Sequence, residues 1–149
     1  MVVGEAFHWF RPEEACREIA RVLRPGGGLA LLWNRARWSD QEHAWLEAFD
    51  ALVTPYRRPA GRFPAEGGEW KAALRDTGLF GPLSTAVYDH GHRVSAEEFM
   101  CLVASWSWIA NLPAPQRAAV LEHVRDLVGG QRTLSLRYRT EIYWTRLPR

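Results

Sequence analysis

Residues 2–33 constrain the fold more than any other stretch of the sequence. Val2, Val3 and Gly4 are apolar and give way to Glu5-Ala6-Phe7-His8-Trp9-Phe10, the pattern of a buried strand running out into a loop. Pro12 suits the first turn of a helix, Glu13 and Glu14 suit its positive end, and Ala15, Ile19, Val22 and Leu23 recur on one helical face. Arg21 and Arg24 complement the negative end, and Pro25-Gly26-Gly27-Gly28 stops the helix and turns the chain. Leu29-Ala30-Leu31-Leu32-Trp33 is then a continuous apolar run, as expected of a strand covered on both faces. One helix joining two such runs makes a parallel crossover unit, almost always right-handed.

The remaining segments extend an α/β pattern. A second helix is expected from a cap at Ser39 or Asp40, with Trp45, Phe49, Leu52 and Val53 on one face and Pro55 and Pro59 closing it. The Arg-, Pro- and Gly-rich stretch 56–68 reads as an exposed loop, 69–77 as a short helix ended by Gly78, and 83–89 as a strand broken by Gly91. Ser95 with Glu98 three residues on forms a capping box for a helix bearing Phe99, Leu102, Val103, Trp106 and Ile109. Pro113 and Pro115 precede another helix with Leu121, Val124, Leu127 and Val128 in register. From Leu134 to Thr145 the residues alternate with period two, which suits an antiparallel strand near a sheet edge.

Composition narrows the function classes. The 149 residues, 47% hydrophobic and 24% charged, suit one compact domain and exclude disordered, collagen-like and disulfide-scaffold chains. The net charge of +2 arises from 19 basic and 17 acidic residues that alternate along the chain, so nucleic-acid binding is not expected. No apolar run approaches the roughly 20 residues of a membrane span and no signal-peptide pattern opens the chain, so a cytoplasmic protein with no membrane partner is expected. Cys16 and Cys101 sit in apolar-periodic stretches without partners at metal-ligand spacing and read as buried thiols. Eight tryptophans, spread without a period, supply packing mass or an aromatic pocket.

Ligands of open α/β sheets bind outside the C-terminal ends of parallel strands. That rule singles out the loop 5–10, where His8 is either a general base or a hydrogen-bonding partner of the loop backbone, and Glu5 a polar contact. Trp33 and Asn34 end the second strand on the same edge, with Trp38 soon after; Asn34 is either a loop cap or a substrate contact. The Pro-Gly-Gly-Gly run follows a helix and opens a strand, the reverse of a phosphate loop, and is a turn. Asp89, His90 and His92 lack a further ligand partner and read as a solvated turn, so no metal is expected.

Together, AFHWF, the Pro-led helix ending in EIARVLRPGG, the strand closing on Trp-Asn, the SWSWIANLP stretch and the final LRYRTEIYW strand resemble the C-terminal part of class I S-adenosylmethionine-dependent methyltransferases of the type 11 group. The resemblance covers nearly the whole chain. It implies a Rossmann-like seven-stranded sheet of which this chain holds about four strands, the last antiparallel, making 1–149 a partial methyltransferase domain with helical cap insertions at about 39–54 and 95–128. It further implies S-adenosylmethionine as cofactor, with Glu5, Ala6, Phe7 and Trp9 lining its methionine end, and a small-molecule acceptor. Trp33, Asn34, Trp38, Trp106 and Trp108 are the expected acceptor contacts and His8 the catalytic residue.

The family's Gly-rich loop after the first strand, and the acid that holds the donor's ribose, have no counterpart in this sequence. A portion lacking the donor-binding half is therefore expected, with an apolar first strand exposed to pairing and self-association. The other reading is a noncatalytic, Trp-rich module that binds a ligand or partner.

Overall fold

The computed structural model describes residues 1–37, 44–57 and 69–149. Four strands, β1 (Val2–Gly4), β2 (Gly28–Ala36), β3 (Ser84–Val94) and β4 (Leu134–Arg146), form one sheet in the order β1-β2-β4-β3. The helices are α1 (Pro12–Val22), α2 (Ala44–Arg57), α3 (Glu69–Asp76), α4 (Ala96–Ser105), α5 (Ser107–Ala110) and α6 (Ala114–Val128), and a 3-10 turn spans Phe7–Trp9.

β1 and β2 are parallel, with Val2 opposite Ala30 and Gly4 opposite Leu32, and α1 is the crossover between them. Its first turn carries Pro12, Glu13 and Glu14 as the sequence predicts, and Cys16 and Ile19 are its buried residues. Gly26, at φ 72°, makes the turn into β2 in a conformation that Cβ-bearing residues resist. Leu29, Leu31 and Trp33 bury one face of β2, while Ala30 and Leu32 are half-buried on the other.

β4 is antiparallel and lies one place in from an edge of the sheet. The Leu147 N–H donates to the Gly27 carbonyl and the Arg37 N–H to the Arg137 carbonyl, an antiparallel register along β2. On its other side the Gly81 N–H donates to the Arg146 carbonyl, and Arg139 meets Asp89. β4 is thus interior, and its buried-exposed alternation survives only near its ends because the middle residues are half-covered on both faces.

β3 is the edge strand beside β4, and it runs through Gly91 instead of stopping there. Cross-strand partners hold it: the Arg139 guanidinium makes two bonds of 2.7 and 3.0 Å to Asp89, and His90 stacks on Tyr138. Likewise α2 continues past Pro55 to Arg57, since an exposed proline in the final turn removes a single helical hydrogen bond. The expected cap at Ser39 or Asp40, and Pro59, lie outside the described residues.

Two compact units emerge. One comprises Met1–Arg35, the described part of 62–89 and Arg139–Arg149; the other comprises the described part of 36–61 and His90–Tyr138. In the first, α1 packs on α3 and the core is Phe7, Cys16, Ile19, Leu29, Leu31, Trp33, Trp70 and Leu74. In the second, α6 packs on α2 and α4 around Phe49, Phe99, Ile109 and a set of valines and leucines. The capping box at α4 forms as expected: the Ser95 hydroxyl accepts from the Glu98 N–H at 3.1 Å, and the Glu98 carboxylate accepts from the Ser95 N–H at 2.7 Å. Cys16 is buried but Cys101 is exposed, because Phe99 and Val103 point the core side of α4 away from position 101. Among the described residues no helix is long and apolar enough to cross a membrane.

Candidate functional site

The loop leaving β1 is shaped by one strained residue. Glu5 has φ 50°, the left-handed region that a side chain with Cβ disfavours. Two bonds hold it there: its N–H donates to the Leu32 carbonyl at 2.9 Å, and its carboxylate accepts from the Asn34 N–H. Asn34 is in turn tied to β4, its Oδ1 accepting from the Thr140 hydroxyl at 3.1 Å. The carboxylate of Glu5 and the amide of Asn34 therefore close the end of the β1–β2 pair and fix where the loop starts.

The turn that follows sorts its side chains. Phe7, 1% exposed, plugs the loop into the core, while Trp9 at 67% and Phe10 at 47% stand on the surface. The inward residue of the turn is thus Phe7. His8 is half-buried, 4.9 Å from the Trp9 ring, and its Nδ1 accepts from the Trp33 indole N–H at 3.4 Å. Burial lowers the His8 pKa from its ordinary 6.5, opposed by the negative charge of Glu5.

Beneath His8 lies an aromatic floor. Trp33, 4% exposed, packs 4.9 Å from Trp70 and edge-on to Tyr143 at 5.8 Å, and Trp70 meets Tyr143 at 4.8 Å. The Lys71 ammonium covers this cluster, 4.6 Å from the Tyr143 ring and 5.3 Å from that of Trp70. The Tyr143 hydroxyl donates to Glu141 at 3.0 Å, and Glu141 pairs with Arg35 at 3.2 Å. Burial raises the Tyr143 pKa and the neighbouring Glu141 raises it further. The indole nitrogen of Trp70 is buried and has no hydrogen-bond partner among the described residues.

Of the sequence-derived candidates, Glu5, Ala6, Phe7, His8, Trp9, Trp33 and Asn34 lie together around the C-terminal ends of β1 and β2. Trp38 lies outside the described residues. Trp106 and Trp108 belong to the other unit, stacked on each other at 5.0 Å, with Phe49 against Trp106 and the Arg57 guanidinium 5.6 Å from the Trp108 ring. Sequence reasoning missed Trp70, Lys71, Thr140, Glu141 and Tyr143. The alternating run 134–145 showed that β4 has two faces, but not which residues of β2 they meet. Among the described residues no group of three His, Cys, Asp or Glu could hold a metal ion.

Residues 1–31, which contain β1, the loop and α1, match the model of a family described as a methyltransferase domain. An uncharacterised methyltransferase-like protein of Schizosaccharomyces pombe is 34% identical over 121 residues, covering 80% of this chain and 44% of the relative. An uncharacterised methyltransferase of Mycobacterium tuberculosis is 31% identical over 132 residues, covering 86% and 47%. The chain is similar to methyltransferases over most of its length. A solved structure from Anaeromyxobacter dehalogenans, described as a candidate type II methyltransferase, has the same fold, with a TM-score of 0.60 at 22% identity over 99% of this chain and 64% of that one. The chain spans less than half the length of the curated relatives it matches.

Proposed function

We propose that this chain serves as the acceptor-side part of an S-adenosylmethionine-dependent methyltransferase whose substrate is a small molecule. The observation that carries the reading is the loop 5–9 at the C-terminal end of a parallel strand, held by Glu5 and Asn34 and presenting His8 and Trp9.

The loop fits one end of such a donor in part. The Trp9 ring is exposed and His8 is half-buried beside it, whereas the Glu5 carboxylate is bonded to Asn34 and Phe7 is inside the core. Glu5, Ala6 and Phe7 would therefore meet the methionine end through backbone groups, and Trp9 through its ring. The chemistry supplied by the bound donor is an electrophilic methyl group on a sulfonium. The chain's own contribution is to position the acceptor, with His8 as the polar group facing it and Asn34 at the rim, since methyl transfer depends chiefly on alignment.

Calorimetry tests the division of labour. S-adenosylmethionine is titrated into this chain and into a longer protein that joins it to the remaining sequence of one of its curated relatives. Micromolar binding is expected for the longer protein only, along with methyl transfer to a small-molecule acceptor that His8→Ala abolishes while donor binding persists. Tight binding by the 149-residue chain would refute the division, and a longer protein that binds no donor would refute the enzymatic reading.

A further inference from the structure

Trp33 and His8 meet in a way that decides which nitrogen of the histidine carries the proton. The indole N–H can only donate, and it points at His8 Nδ1 from 3.4 Å. A neutral imidazole has one N–H and one bare nitrogen; a proton on Nδ1 would set two donors against each other. We propose that Trp33 is a positioning residue that holds His8 as the Nε2–H tautomer, so that His8 meets its ligand as a hydrogen-bond donor and not as a base. This deepens the function proposed above and rests on it for the identity of the ligand.

Several features agree. Trp33 is 4% exposed and packed against both Trp70 and Tyr143, so its N–H direction is set by core packing. His8 follows Phe7, which is 1% exposed and anchors the turn in the same core as Trp33. The bond from Trp33 stabilises the neutral ring, in the same direction as burial, while the charge of Glu5 opposes both. For the acceptor this changes the chemistry. Removing its proton through Nε2 would require the tautomer that Trp33 disfavours, whereas an Nε2–H donor orients an acceptor that is already nucleophilic, such as an amine, a thiolate or an enolate, by bonding an oxygen beside the reacting atom. The small molecule is accordingly one whose nucleophile needs no base from this loop.

The test is nuclear magnetic resonance on the full chain with both histidine ring nitrogens and the tryptophan indoles labelled with 15N. Above the ordinary histidine pKa of 6.5, His8 is expected to show an unprotonated Nδ1 and a protonated Nε2, and the Trp33 indole cross-peak to shift as His8 takes up a proton. Trp33→Phe should release a mixture of tautomers and raise the His8 pKa toward its ordinary value. A wild-type His8 protonated on Nδ1, or a Trp33 cross-peak unmoved through the titration, overturns the proposal. Both are read in the wild-type protein, so they stand even where Trp33→Phe does not fold. Absent donor binding in the calorimetry above counts against the proposed function, while the Nε2–H tautomer still supports the positioning role.

Discussion

The two units of this chain both bury pairs of tryptophans, and they use them differently. Trp33 and Trp70 are 4% and 3% exposed and sit in the centre of their core, where Trp33 offers its N–H to His8 and the cluster is covered by Lys71. Trp106 and Trp108 are only half-buried, packed on the outside of a core whose centre is Phe49, Phe99, Val103 and Val124. A tryptophan is a large apolar plate with one polar edge. Placed at the centre, its polar edge has a fixed direction and can orient another group; placed at the margin, it contributes mainly area.

That contrast can be broken by substitution. In the helical unit, Phe99 is fully buried with its ring 5.2 Å from Phe49 and 5.6 Å from Trp45. Phe99→Ala should lose about 3–5 kcal/mol in a denaturant titration, and a loss under about 1 kcal/mol would show that this core is loosely packed.

The two cysteines, one in each unit, sharpen it next. Burial, with Glu13 adding to it, pushes the Cys16 thiol up to about 11 from 9.0, so roughly a hundredfold less thiolate is present at neutral pH than at an ordinary thiol. Cys101 is exposed. A maleimide reagent followed by mass spectrometry should label Cys101 first and Cys16 only under denaturant. Equal labelling rates would mean that the first unit opens as readily as the surface of α4.

A smaller effect is expected at the α4 cap. Ser95→Ala removes one arm of the capping box and should cost about 1 kcal/mol in thermal or chemical unfolding. Its counterpart in the other unit is the pH dependence of His8. Because the folded pKa lies below 6.5, protons bind the unfolded chain more readily, so His8 contributes its stability above that value and the contribution is lost as pH falls through the folded pKa. The stability difference between the wild type and His8→Gln should shrink as pH is lowered from 7.5 to about 5. A difference that is constant over that range would remove His8 from the pH response.

The crossover 2–33 was legible because its signals are local: proline and acids at the start of a helix, glycines after it, and an unbroken apolar run. The capping box was legible for the same reason. What periodicity could not supply was neighbourhood. Alternation in 134–145 marks a strand near a sheet edge but says nothing of whether one or two strands flank it, and β4 has a neighbour on each side. Gly91 marks a break only where no partner holds the chain, and here Asp89 and His90 have partners on β4. At the site, the loop residues followed from their position after a strand, whereas the burial of Trp33 and its bond to His8 depend on Trp70 and Tyr143, which come from distant segments.

The place of β4 sets a schedule for folding. β2 and β3 are separated in the sheet by a strand that follows both of them in the sequence. While a ribosome is still making residues 134–146, the completed β2 and β3 each present an unpaired edge with no strand to join them, at a synthesis rate of roughly 5–20 residues per second. The α1 crossover and its parallel pair can form early, but closure of the sheet waits for the last strand to insert, so that a stall before residue 134 leaves two open edges instead of a finished sheet.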